Sequence, residues 1–152
     1  MDGSVLTNKK FQKSVEIKFD DIMEAFFFVN AGGLANHTAV LDNSTGEIYW
    51  QSEDSEINEI PEGLLDSEDA IEIPRKNELC LGTELVFSFV DSKFPNDYEK
   101  VQDIFNNRGA YSRFKDFLES KGLVKDWYAF ENESQEKAVR KWCKDSEVKL
   151  ID

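Results

Sequence analysis

His37-Thr38-Ala39-Val40-Leu41, then Asp42-Asn43-Ser44-Thr45-Gly46, then Glu47-Ile48-Tyr49-Trp50-Gln51 is the stretch that decides the fold class. Two runs rich in apolar, β-branched and aromatic residues flank a short polar loop, the signature of paired strands. Asp and Asn start turns by bonding nearby backbone, and Gly46 can adopt the left-handed conformation that closes such a loop. The spacing predicts a β-hairpin over residues 37–51. Asp42-Asn43-Ser44 has a superficial likeness to a calcium loop, but the EF-hand spacing is absent, so these side chains are read as turn formers.

Working outward, Val15, Ile17 and Phe19 alternate with Glu16 and Lys18, which predicts a short strand. Asp20 is then expected to cap a helix over residues 21–29, with Asp21 and Glu24 in its first turn. Ala31-Gly32-Gly33 stops that helix and lacks the spacing of a phosphate-binding loop. Residues 70–73 form a third strand candidate ended by Pro74. Residues 1–14 are polar and expected to be loosely ordered.

Beyond residue 75 the period changes from strand to helix. Leu81, Leu85, Phe89 and Val90 predict a helix over about residues 78–91, with a strand through 86–90 as the competing reading. Asn96-Asp97-Tyr98-Glu99 reads as a capping box before Val101, Ile104 and Phe105, and Arg108-Gly109 as the end of that helix. Residues 110–121 form the next helix, with Ala110, Phe114, Phe117 and Leu118 on one stripe and Gly122 as its breaker. Leu123, Trp127 and Phe130 mark a separate piece over 123–130. Asn132 or Ser134 starts a last helix to about residue 145, and residues 148–151 a closing edge strand. Phe114, Trp127 and Trp142 are expected in one helical core. The fold class is α+β: a small antiparallel sheet from the N-terminal half, packed by helices mostly from the C-terminal half. A chain of 152 residues is expected to form a single domain, 1–152.

Hydrophobic and aromatic fractions of 40% and 12% are globular values, which argues against disorder. The net charge of −13 repels phosphates and anionic lipid, so the whole molecule is a poor nucleic-acid or membrane binder. The charge is uneven: residues 1–100 carry 21 acids and 8 bases, whereas residues 101–152 carry 10 of each. Much of the excess lies in an acidic loop over 52–69, which holds eight acids and no Lys or Arg. Ile57, Ile60, Leu64 and Leu65 interrupt that tract and can pin part of it. Met1-Asp2-Gly3-Ser4 opens without a basic region and apolar run, so no signal peptide is expected. The longest apolar run, Ala25–Val29, is far shorter than a bilayer span. A cytoplasmic location is the expectation.

No motif for a catalytic group, a cofactor or a metal emerges. Cys80 and Cys143 match neither a metal spacing nor a redox pair and are read as reduced thiols packed as small hydrophobes. His37, the only histidine, has no nucleophile or second ligand beside it in sequence. Arg108-Gly109-Ala110-Tyr111-Ser112-Arg113-Phe114 echoes an RNA-recognition strand, but Phe114, Phe117 and Leu118 have helical spacing, which sends the aromatics into a core. In the last helix Lys137, Arg140, Lys141 and Lys144 fall on one face at i, i+3, i+4 and i+7, opposite Ala138, Val139, Trp142 and Cys143. That cationic face is the candidate docking surface.

The run Ile73-Pro74…Glu78-Leu79-Cys80-Leu81-Gly82, then Phe94-Pro95…Tyr98, Arg108-Gly109-Ala110-Tyr111-Ser112-Arg113-Phe114-Lys115-Asp116-Phe117-Leu118, Trp127-Tyr128 and Trp142-Cys143 resembles Uncharacterised Protein Family zero-one-five-eight. Leu41–Ile48 is similar to a turn in the first half of its members. The resemblance implies a cytoplasmic bacterial protein and brings no activity and no catalytic residue with it. It marks Arg108, Tyr111, Arg113 and Lys115 as a family-like surface, for which local ion pairs of Arg113 with Asp116 and Lys115 with Glu119 are a sufficient explanation.

Two function classes follow. The first is a non-enzymatic interaction or regulatory module with a protein partner. The second is a small hydrolase or transferase using carboxylates in a cleft, with weak nucleic-acid binding through the basic face as a further alternative. A deep carboxylate pocket would favour the enzyme, and an exposed patch the module.

Overall fold

The computed structural model describes residues 15–31, 36–53 and 56–151. The expectations for residues 1–14, for Gly32-Gly33 and for Asp54 lie outside them. The chain divides into two compact units: residues 1–75 with 139–152, and residues 76–138.

In the first unit, β1 (Glu16–Lys18) runs straight into α1 (Phe19–Val29). The helix starts earlier than the sequence suggests. Lys18 is its N-cap residue, without a side-chain capping bond, and Asp20 sits with Asp21 in the first turn. The two carboxylates therefore act on the helix dipole and not as a cap. Phe19, Ile22, Met23, Ala25, Phe26 and Val29 are buried along one side. At the C-terminal end, Asn30 donates from Nδ2 to the Phe26 carbonyl at 2.8 Å. The Arg75 guanidinium donates to the Val29 carbonyl and to the His37 carbonyl, each at 2.9 Å. One side chain thus ties the helix end to the start of the sheet.

The hairpin forms as expected, from β2 (His37–Asp42) and β3 (Ile48–Ser52), antiparallel with Ala39 opposite Trp50 and Leu41 opposite Ile48. β4 (Ile57–Asn58) and β5 (Ala70–Glu72) complete an antiparallel sheet in the order β4-β3-β2-β5. In the turn, Asp42 accepts from the Ser44 amide at 3.0 Å and its hydroxyl at 2.6 Å, and the Gly46 amide donates to the Asp42 carbonyl at 2.8 Å. The Asp42 side chain that suggested a cation ligand is therefore occupied in building the turn. Within the acidic tract, Leu64–Asp66 makes a single 3₁₀ turn. β6 (Lys149–Ile151) closes the unit by pairing in parallel with β1, with Ile17 opposite Leu150.

The second unit is helical: α2 (Thr83–Lys93), α3 (Tyr98–Phe105), α4 (Ala110–Lys121) and the N-terminal part of α5 (Val124–Asp145). The helix reading of the 78–91 stretch holds against the strand, but it begins later, with Gly82 as N-cap residue. Asn96 lies in a 3₁₀ turn, Pro95–Asp97, and no side-chain capping bond precedes α3, so the capping box is not formed. α3 ends at Phe105, and Gly109, with φ +71°, is the N-cap residue of α4. α4 has the predicted bounds, ended by Gly122 in the left-handed conformation. The two segments expected over 123–130 and 132–145 are one continuous helix, because neither Asn132 nor Ser134 interrupts the i to i+4 ladder.

Aromatic rings fill the second unit. Phe89 lies 5.3 Å from both Trp127 and Phe130, centroid to centroid, and Phe114 meets Trp127 edge-to-face at 5.3 Å. Phe114 and Trp127 therefore share a core as expected. Trp142 does not join it: it lies beyond the division at Val139, in the first unit, and is half-buried.

Two outcomes follow. Gly46 has φ +83°, and a Cβ there would stand 3.1 Å from Val15 Cγ1. Gly46→Val should cost about 1–2 kcal/mol, read as a lower urea midpoint. Trp127→Ala should cost about 3–5 kcal/mol in the same measurement, since it empties the centre of the aromatic cluster.

Candidate functional site

Ala25-Phe26-Phe27-Phe28-Val29 is too long an apolar run for one helix face to bury. At about 100° per residue, Ala25, Phe26 and Val29 point inward. Phe27 is left 49% exposed, and Phe28 sits on the shoulder. The Phe28 ring meets Trp50 edge-to-face at 5.0 Å and His37 at 4.8 Å. Paired residues of a sheet share a face, so Trp50 lies on the Ala39 side, and Ile57, opposite Ser52, lies there too. The next residue but one, Glu59, donates its amide to the Trp50 carbonyl at 2.9 Å.

These elements enclose an open hollow of ≈ 500 Å³ lined by Glu24, Phe27, Phe28, Trp50, Ile57 and Glu59. Its floor is aromatic and aliphatic, and among the described residues its titratable groups are two carboxylates, Glu24 and Glu59. Such a surface attracts cations, through ring π-electrons and negative charge together, and repels anions. Against the Phe28 ring, His37 Nδ1 is buried without a hydrogen-bond partner among the described residues. Two other hollows have mixed linings: one of ≈ 400 Å³ where Gln51, Asn58, Glu62 and Asp66 stand with Ile60, Pro61 and the exposed Leu65, and one of ≈ 410 Å³ where Thr83, Gln102, Asp103 and Asn106 stand with Phe87 and Phe105. Among the described residues no group of three or more His, Cys, Asp or Glu is placed to hold a metal, and no helix is long and apolar enough to cross a membrane.

None of the hollow's residues was singled out from sequence as a site. The cationic residues that were, Lys137, Arg140, Lys141 and Lys144, are all exposed on α5, with Val139 and Cys143 buried on its other side. The Arg140 guanidinium stacks 3.8 Å from the Phe19 ring centroid, and Lys141 pairs with Asp145 at 2.9 Å. Lys137 belongs to the second unit and the other three to the first. The family-like residues Arg108, Tyr111, Arg113 and Lys115 are exposed in the second unit. Tyr111 meets Phe105 edge-to-face at 5.1 Å. Its hydroxyl pKa is raised by partial burial, then by Glu131 and Glu84. Lys115 does not rest on Glu119 alone: its ammonium lies 5.2 Å from the Tyr128 ring centroid. A hydrogen bond from its ammonium to the Tyr128 hydroxyl oxygen is the main cause that raises its pKa, with Glu131 and Glu119 adding. The echo of an RNA-binding strand fails here, because the stretch from Ala110 is helical and Phe114 is buried.

The stretch Arg108–Leu118 thus forms the N-terminal boundary and body of α4, and a family model matches residues 12–152 around it. The chain belongs to the uncharacterised protein family UPF0158. No curated protein and no solved structure matches the chain.

The cysteines part company. Cys143 is buried, whereas Cys80 is exposed with φ +57°, so the reading of both as packed hydrophobes holds for one. Burial pushes the Cys143 thiol up to about 11. The folded state therefore keeps its proton where an exposed thiol has lost it. At about pH 8 the native UPF0158 chain should label with a thiol reagent at Cys80 alone, and denaturation should expose the second thiol. Rapid native labelling of Cys143 at that pH would contradict its burial.

Proposed function

We propose that the chain is a non-enzymatic interaction module that engages another protein through the Phe27–Trp50–Ile57 hollow. The observation that supports this most is the 49% exposure of Phe27 next to the half-buried Trp50 and the 38% exposed Ile57. Apolar side chains gathered in this way leave a patch that a partner can cover. Covering the exposed half of Phe27 alone contributes about 1 kcal/mol to a complex. The hollow is open and shallow, which suits a side chain inserted from a partner better than a substrate enclosed for reaction. The cationic face of Lys137, Arg140, Lys141 and Lys144 belongs to the same reading as a second docking surface. It is exposed along α5 with a buried stripe behind it. The reading places the module in the bacterial cytoplasm, where the family resemblance implies it works.

Three forms of the chain test this: the native sequence, Phe27→Ser with Ile57→Ser, and the reversal of the four α5 cations to Glu. Each is used to recover partners from native cytoplasm, with urea unfolding as the control. The expected result is that the hollow variant still unfolds cooperatively, destabilised by about 1–3 kcal/mol because half of Phe27 and more than half of Ile57 are buried, and loses a partner that the native chain retains. Recovery of every partner by both folded variants would overturn the reading.

A further inference from the structure

We infer that the hollow receives the guanidinium or ammonium group of a Lys/Arg-rich segment of a partner protein, an assignment that rests on the interaction-module reading. Three observations carry it. Phe27, Phe28 and Trp50 present aromatic surface at the hollow, and among the described residues the charged groups lining it are the carboxylates of Glu24 and Glu59. A cation placed there gains from the rings and from both acids, and the gain grows as the partner excludes water. An anion would be repelled. A purely apolar segment would desolvate Glu24 and Glu59 with nothing to pair them.

The second observation is continuity. Ile57 and Glu59 belong to the 52–69 stretch, which holds eight acids without a base. One side of the hollow is therefore formed by the segment that carries the densest negative charge of the chain. A partner bearing several cations can set one side chain over the rings while its neighbours face the remaining carboxylates. The third is shape. A hollow of ≈ 500 Å³ open on one side is much larger than one ammonium group and would leave a free small cation largely in water. A peptide supplies the missing cover. The acidic field also steers a basic segment toward the site, an effect that falls with added salt.

The probe is a short fluorescent peptide alternating Arg with Gly and Ser, compared with its Glu counterpart by anisotropy against the full chain. The native chain should bind the Arg peptide and not the Glu one, more weakly at higher salt. Phe27→Ala should weaken binding roughly three- to ten-fold, and Glu24→Gln with Glu59→Gln by a similar factor. Glu62→Gln with Glu68→Gln, which lower the net charge of the chain equally but lie outside this hollow, should have a smaller effect. Equal losses from both carboxylate pairs, with none from Phe27→Ala, would reduce the attraction to diffuse charge and overturn the assignment. Tetramethylammonium displacing the peptide and binding as tightly would do the same, by making a small cation the occupant. So would Phe27-dependent self-association in sedimentation, by making it a second copy. Failure of the Arg peptide to bind, with partner recovery still dependent on Phe27, would refute this partner chemistry and leave the module reading standing. Loss of neither would remove both.

Discussion

Strand β2 is covered on both faces, and the first unit is arranged around that fact. Ala39, Val40 and Leu41 are fully buried in succession, which a strand achieves only when something packs against each side of it. The α1 helix supplies the cover on the Ala39 side, where Phe28 stands over His37 and Trp50. β3 and β5 satisfy the strand's two edges. The Arg75 guanidinium then joins the Val29 carbonyl at the end of α1 to the His37 carbonyl at the start of β2. A helix carbonyl without an intrahelical partner and a strand carbonyl are satisfied by one rigid fork, which holds the helix at its place on the sheet.

The candidate site is a consequence of that placement. A helix is narrower than the sheet it covers, so strands away from β2 receive partial cover. Trp50 is one strand out and Ile57 two strands out. Phe28 reaches Trp50, while Phe27, one residue earlier and turned by about 100°, points past the core. The hollow between them is thus the uncovered margin of a helix-on-sheet layer. The order of the strands also brings the acidic segment there: β4, which carries Ile57, is the edge strand beside β3, and Glu59 follows by bonding to Trp50.

Much of the architecture was legible because local chemistry and long-range packing agree. Asp42 and Gly46 specify the hairpin turn through bonds and backbone conformations that involve only their neighbours. Gly109 and Gly122 bound α4, both in the left-handed region, for the same reason. Asn132 and Ser134 are good caps, so local sequence favours a break that the helix over 124–145 does not make. Their preference is weak beside the packing of the helix's buried side, which runs from Trp127 through Gln135 to Val139 and Cys143, and the ladder continues through them. Lys115 was assigned to a neighbour on its own helix, which sequence spacing can show, and it lies against Tyr128, which spacing cannot.

By itself, the sequence determined the α+β class, the hairpin, the α4 bounds, the family and the concentration of negative charge in the first two-thirds of the chain. Each depends on residues close together or on composition. Only the tertiary structure decided that β1 pairs with β6, that β5 joins β2, and that Phe27 stays outside while Phe26 is buried. Those outcomes depend on which surfaces meet between elements distant in the chain, from Val40 with Glu72 to Ile17 with Leu150, and periodicity reports only which side of an element is apolar. A run with more apolar residues than one face can bury must leave some exposed. Where the exposed ring comes to lie, here beside Trp50 and two carboxylates, is set by the packing of the helix on the sheet.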